Sequence, residues 1–328
     1  MSRPLLALTL GDPAGIGPEI ALRAVIEPAV RDAARLVVLG PGALRPNEVP
    51  LLPHPGALDA QTELSWIDTG GDPQGFAIGE ARAASGRAAL DALRAGHELA
   101  LGGLVDGLVT GPVNKQALHM AGERVEGQTE LLGRWCEVSR FEMLAVAGDL
   151  RVMLLTRHMP LVQAIAAVTA ERVLDRLRLL HSALEGLGIE RPRLALAGLN
   201  PHAGEQGLLG SEDLEHLVPA VEQARREDLD VAGPISPDSV FVAALGGSYD
   251  GVLALYHDQA FVPLKLVAER EGAGVTVIAG LPYLRVSPVH GTAFDIAGRG
   301  IARPDNLIGA LRQAAEWAAA RGKHVASR

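Results

Sequence analysis

Seven short runs of Val, Leu, Ile and Ala, none with the polar alternation of a half-exposed strand, recur along the chain: PLLALTL (4–10), RLVVLG (35–40), DGLVTGPV (106–113), RVMLLTR (151–157), RLALAGLN (193–200), GVLALYH (251–257) and GVTVIAG (274–280). A strand that is apolar at every position has both faces covered. Helical patterns fall between these runs, at about 18–30, 80–101, 170–187, 211–227 and 304–321. The alternation predicts an α/β protein with a largely parallel core sheet. Segment 41–75 is Pro-rich and irregular, and is expected to be an excursion at a sheet edge. In such folds the chemistry sits on loops at the carboxyl ends of the strands.

A chain of 328 residues is long enough for two domains or two lobes of one unit. No stretch of about 18 apolar residues is available to cross a bilayer. MSRPLLALTLGDP reads as a first strand, not a signal peptide, so a cytoplasmic protein is expected. The single cysteine, Cys136, excludes an intrachain disulfide and a Cys-rich metal site, and is read as a buried structural thiol. A net charge of −9 without a basic cluster argues against nucleic acid, although local cations can still hold an anionic substrate. Only three of the thirty basic residues are Lys. Two of them, Lys115 in TGPVNK and Lys265 in HDQAFVPLK, are read as lying in loops and as site residues, because a compact ammonium with a tunable pKa is not replaced by guanidinium. Lys323, in the tail, is read as a surface charge.

Three of the ten histidines, His158, His202 and His257, each follow an apolar strand-like run. A lone histidine is more often a cap or a solvated residue. Three in one context point to a metal site built from loops on one edge of a sheet. Separations of 44 and 55 residues are too long for a finger or a helical HExxH pair, so the tertiary fold or a dimer must gather the ligands. GDPAGIGPE (11–19) spaces its glycines as neither a Rossmann fingerprint nor a P-loop, and a glycine turn with Pro18 opening a helix accounts for it. HGTAFDIAGRGIARPDN (290–306) is more specific, with small-residue turns on both sides of Asp295.

DPAGIGPEI and VHGTAFDIAGRGIA resemble the N-terminal and cofactor-loop motifs of the isocitrate and isopropylmalate dehydrogenase superfamily. TGPVNK (110–115), GQTE (127–130), LTRHMPL (155–161), NPHAGEQGLLGSED (200–213), GPISPDSVF (233–241), YHDQ (256–259) and GLPYLRVSPVHGTAFDIAGRG (280–300) together resemble, in order and over nearly the whole chain, the 4-hydroxythreonine-4-phosphate dehydrogenase (PdxA) family of pyridoxal phosphate biosynthesis. The resemblance implies a two-lobed, three-layer α/β/α isocitrate/isopropylmalate dehydrogenase-like fold with the active site in the cleft between lobes. The polar stretch EGQTELLG (126–133) is the expected crossing between the lobes, with the return near 280, so that residues 1–125 with 281–328 would form the cofactor side and 126–280 the metal, substrate and dimerisation side.

It further implies a homodimer with its site at the subunit interface, NAD or NADP, and a divalent metal on His158, His202 and His257. Imidazoles favour zinc or cobalt over magnesium. Gln128, Thr129, Lys265, Thr276 and Arg285 match the family's substrate contacts. Asp12, Gly15, His290, Gly291, Thr292 and Asp295 fall to the cofactor, and Lys115, Asp238 and Asp258 are the possible proton carriers. The implied reaction oxidises 4-phosphooxy-L-threonine to a β-keto acid that decarboxylates to 3-amino-2-oxopropyl phosphate. Two positions depart from the family: GHTE reads GQTE at Gln128, and an Asn is replaced by Thr276. The stretch after Lys265 is also about two residues longer. These changes leave room for a four-carbon sugar-acid phosphate or a dihydrodiol carboxylate as substrate. A zinc hydrolase would share the three histidines but leave HGTAFDIAGRG without a task, and a binding protein that has lost catalysis through Gln128 is a third reading.

Overall fold

The computed structural model describes residues 3–59 and 62–326. Its strands are β1 (Leu5–Thr9), β2 (Arg35–Gly40), β3 (Leu64–Asp68), β4 (Gly107–Thr110), β5 (Glu142–Ala147), β6 (Leu150–Leu154), β7 (Leu194–Ala197), β8 (Val231–Ile235), β9 (Gly251–Ala254), β10 (Val275–Ala279) and β11 (Arg285–Pro288). The chain divides into two compact units, Met1–Ser139 with Leu281–Arg328, and Arg140–Gly280. EGQTELLG (126–133) opens the helix Gln128–Trp135 within the first unit.

In the first unit the strand order is β3-β2-β1-β4-β11 and every neighbouring pair is parallel. All five residues of β1 are buried, as an unbroken apolar run requires. The helix Ala83–Leu101 is rich in Ala because its buried face lies tightly on the sheet: a Cβ on Gly96 would come within 2.6 Å of a Leu108 methyl.

In the second unit the order is β10-β5-β6-β9-β7-β8. β5 runs antiparallel to both neighbours, and the remaining pairs are parallel. The expected α/β class with a mostly parallel sheet is what the chain adopts. The two ends of this unit meet: Glu142 pairs with Ala279, and Gly280, at φ +92°, sits so close to Arg140 that a Cβ would lie 2.2 Å from its carbonyl oxygen. Among the described residues no helix is long and apolar enough to cross a membrane.

Several expectations need correction. Segment 41–75 contains a true strand, β3, parallel to β2, whose Trp66 is fully buried and donates its Nε1–H to Gly40 O at 3.0 Å. The pattern at 18–30 is two helices, Gly17–Ala24 and Pro28–Ala33. Pro28 bars Glu27 from helical geometry and leaves it extended at ψ 125°. The pattern at 211–227 begins with a π-turn, Asp213–Leu217, before the helix Val218–Arg226. The lysines are not in loops: Lys115 opens the helix Lys115–Met120, and Lys265 lies inside the helix His257–Glu271 despite Pro263.

Candidate active site

In the second unit β6, β9 and β7 are neighbours, and each leads into one histidine. His158 follows β6, His257 is the first residue of the helix after β9, and His202 lies on a short 3-10 segment, Pro201–Gly207, after β7. The rings of His158 and His257 stand 5.6 Å apart, centroid to centroid. Both line a pocket of about 300 Å³ with Arg157, Met159, Tyr256 and Asp258. His257 stacks on Phe261 at 4.6 Å, and its Nδ1 lies 2.7 Å from Asp258 Oδ1, which leaves Nε2 for a ligand. Two facing imidazoles, one held by a carboxylate, are a donor set that suits a borderline divalent ion.

His202 does not join them. Its side chain is exposed, and residues 202 to 207 all have positive φ, between 44° and 91°. Left-handed backbone costs non-glycine residues about 1–2 kcal/mol each, so this turn must be held from outside. Among the described residues no group of three or more His, Cys, Asp or Glu is placed to hold a metal ion.

Asp238 is exposed in the turn before the helix Val240–Leu245, where Oδ1 accepts from Ser236 Oγ at 2.7 Å. Lys265 is exposed, while Thr276 is buried in β10 opposite Ala145. Arg157, just before His158, reaches the buried Glu142 at 2.9 Å. Sequence reasoning missed Glu142, since nothing local marks an acidic residue opening a strand as the anchor of a loop elsewhere.

The other predicted residues lie in the first unit. Gln128 Nε2 donates to Gly111 O at 3.0 Å, and its buried Oε1 has no hydrogen-bond partner. Because a carbonyl can only accept, this contact settles which end of the amide is which. Thr129 is buried beside it. Arg285, at the start of β11, is buried and donates through Nη2 to Thr110 Oγ1 at 2.5 Å, while its Nε–H is unanswered. Burial pushes this guanidinium down to about 10, against the charges of Tyr283 and Glu130. Lys115 is exposed at the start of its helix, which Asn114 caps by accepting from Ala117 N at 2.9 Å.

The two glycine-rich motifs pack on each other. Ile16 N donates to Thr292 O at 3.0 Å, and Glu19 accepts from Ala302 N at 3.1 Å. Asp12 is fully buried, accepts from Ala14 N at 2.9 Å, and is raised above the usual carboxylate range by burial, so it staples its own turn from beneath. His290 is half-buried with an unpartnered Nε2, Asp295 is exposed, and the space beside Gly291 is open. Cys136 is half-buried, its thiol pushed up by burial beside the Tyr283 hydroxyl at 3.7 Å, which suits a structural thiol.

A Cβ on Gly15 would lie 2.8 Å from Thr292 Cβ and 2.9 Å from its carbonyl oxygen. The substitution Gly15→Ala is therefore expected to cost about 1–3 kcal/mol through overpacking. Scanning calorimetry checks this; an unchanged melting profile would mean that the two loops part freely.

The family model described as pyridoxal phosphate biosynthetic protein PdxA matches residues 24–314. The D-threonate 4-phosphate dehydrogenase of Bordetella bronchiseptica is 42% identical over 96% of this chain and 93% of its own. The 4-hydroxythreonine-4-phosphate dehydrogenase of a Synechococcus species is 41% identical over 96% of this chain and 97% of its own. Among solved structures, 4-hydroxythreonine-4-phosphate dehydrogenase from Klebsiella pneumoniae superposes with a TM-score of 0.88 at 36% identity, covering 96% of this chain and 98% of that one.

Proposed function

The chain belongs to the pyridoxal phosphate biosynthetic protein PdxA family, and from that premise we propose that it oxidises 4-phosphooxy-L-threonine with NAD or NADP and a divalent metal. It is a dehydrogenase. In that reaction the C3 hydroxyl would lose its proton and the C3–H bond its hydride, which a bound nicotinamide would accept, and the resulting β-keto acid would lose CO₂ and take up one proton to give 3-amino-2-oxopropyl phosphate. The observation that carries the reading is the facing pair His158 and His257, with Asp258 on the Nδ1 of the second.

His158 and His257 would hold the ion, zinc first and cobalt next, while His202, which this chain does not bring to them, would join only across the subunit interface of a homodimer; magnesium suits imidazole less. Once bound, such an ion polarises the substrate hydroxyl and then the ketone oxygen as a Lewis acid. Asp258 orients His257, which leaves the exposed Lys115 and Asp238 to carry protons. Arg285 and Lys265 answer the phosphate and carboxylate, and Gln128, Thr129 and Thr276 supply neutral contacts. Gly15, His290, Gly291, Thr292 and Asp295 would receive the nicotinamide cofactor, Asp295 accepting from a ribose hydroxyl, with Asp12 holding the loop.

A homodimer agrees with apolar side chains left exposed on the second unit, among them Leu161, Val162, Leu208, Val242, Val262 and Leu266.

One observation favours a second reading. The 42% identical relative is named for D-threonate 4-phosphate, which carries a hydroxyl where 4-phosphooxy-L-threonine has an ammonium at C2. Gln128, uncharged with a free acceptor, can meet either group. The test is reduction of cofactor by metal-stripped protein restored with zinc, cobalt or magnesium and offered both substrates. Turnover on 4-phosphooxy-L-threonine is expected with zinc or cobalt. Turnover confined to D-threonate 4-phosphate selects the second reading, and no rescue by any metal overturns the histidine site.

A further inference from the structure

The pocket that holds His158 and His257 also has a cation that no sequence motif marks. Arg157 lines it beside the two imidazoles, and Met159, Leu161 and Ala164 give it apolar walls. The guanidinium is anchored from behind: its Nε lies 2.9 Å from Oε1 of Glu142, the first residue of β5. The carboxylate side chain is 5% exposed and the guanidinium side chain 21%, so the pair is buried at its acidic end and open at its basic one.

Glu142 has other partners. Its Oε1 accepts from Met143 N at 2.9 Å, and Arg176 Nε stands 3.6 Å from Oε2. Arg176, in the helix Ala170–Gly186, turns to Asp175 at 2.9 Å, and Asp175 is shared with Arg140 at 2.7 Å. Among the described residues this chain of ion pairs joins three guanidiniums to two carboxylates, so positive charge is left over. Neutralising a buried Glu142 needs one guanidinium, and Arg176 is already beside it. Arg157 is the member of the chain that lines the pocket. The carboxylate on the pocket wall, Asp258, is taken up at His257 Nδ1, 2.7 Å away.

The hydroxy acid carries its carboxylate on the carbon next to the carbinol carbon. A pocket that receives the hydroxyl at the histidines must receive the carboxylate as well. Guanidinium offers paired, coplanar N–H donors that match a carboxylate, and apolar walls strengthen the contact by keeping water off it. We propose that Arg157 is a substrate-binding residue whose guanidinium receives the carboxylate of the hydroxy acid while Glu142 holds it from behind. The phosphate is left to Lys265 and Arg285. The inference rests on this pocket being the substrate site, and both acids considered above carry the carboxylate, so it holds whichever of them is oxidised.

The experiment is calorimetric titration of full-length protein, with zinc in excess, by three ligands: 4-phosphooxy-L-threonine, D-threonate 4-phosphate, and D-threitol 4-phosphate, in which an alcohol replaces the carboxylate. R157M is expected to bind the acid that wild type prefers about 10–100-fold more weakly and the threitol phosphate within about twofold of wild type. R157K keeps the charge and loses the fork, so it should show the same pattern at about 3–10-fold, which keeps the test decisive should R157M not fold. E142Q retains an acceptor for Nε, and is expected to stay within about threefold of wild type for every ligand. Equal losses for acid and alcohol in R157M, or a loss in E142Q as large as that in R157M, would reduce Arg157 to a partner of Glu142 and overturn the proposal. Full affinity for the acids in both R157M and H257A would instead remove the substrate from this pocket altogether.

Discussion

H257A is expected to lower turnover of the phosphorylated hydroxy acid about a thousandfold or more while the protein still folds. His257 contributes one of two facing imidazoles and is the one whose orientation Asp258 holds. Lewis-acid stabilisation of the developing alkoxide is worth several kcal/mol, and about 4 kcal/mol is a factor of about a thousand. Stability follows other groups. The helix His257–Glu271 is anchored by the buried Gln259, Ala260 and Leu264, none of which is altered, so the melting temperature should move by a few degrees at most. Steady-state kinetics with excess zinc and a thermal scan check the pair of outcomes. Near-wild-type turnover in H257A would remove the histidines from the chemistry.

R285M should separate activity from stability in opposite directions. Arg285 is wholly buried, and burial pushes it down from the ordinary guanidinium value to about 10. A base whose folded pKa lies below its unfolded one is bound to its proton more weakly in the folded chain. Its charge therefore opposes folding at every pH below about 10, and the handicap fades as pH rises from there towards the ordinary guanidinium value. A difference of that size corresponds to about 3 kcal/mol, an upper bound on what an apolar side chain of similar volume recovers once the Thr110 bond is lost. R285M is thus expected to unfold no more easily than wild type at neutral pH, and up to about 3 kcal/mol less easily. If the guanidinium is kept for the substrate's anionic group, KM should rise about a hundredfold or more, with nicotinamide affinity unchanged. Denaturant unfolding and initial rates measure the two arms; unchanged KM would reduce Arg285 to an internal hydrogen bond.

The strands that were legible are those buried on both faces, because continuous Val, Leu and Ile leave no other assignment. β3, β8 and β11 escaped because their patterns are broken, and β5 although its run after Glu142 is apolar throughout. β3 has Ser65 and Asp68 around a buried Trp66, β8 contains a glycine and a proline, and β11 is four residues with a buried Arg at its head. The histidines could be picked out by context, yet no reading along the chain could tell that β6, β9 and β7 would be neighbours, since that depends on crossovers. The bonds of Gln259 to Gly198 O and of Asp213 to the N–H groups of Leu199 and Asn200 are hidden for a related reason: a main-chain partner has no residue type to recognise. Lys265 went to the wrong element because proline was weighed as a breaker, whereas Pro263 is accommodated inside the helix His257–Glu271.

The order in which the chain is synthesised gives the meeting of Arg140 with Gly280 a further meaning. The second unit is one uninterrupted segment whose first and last strands pair with each other, so it can close as soon as Gly280 has left the ribosome. The first unit, begun earlier, cannot: β11 must still join β4, and the helix Asp305–Ala326 must still be made. The half that starts first finishes last. Its early strands, apolar on both faces, must be kept from other chains while the second unit is translated.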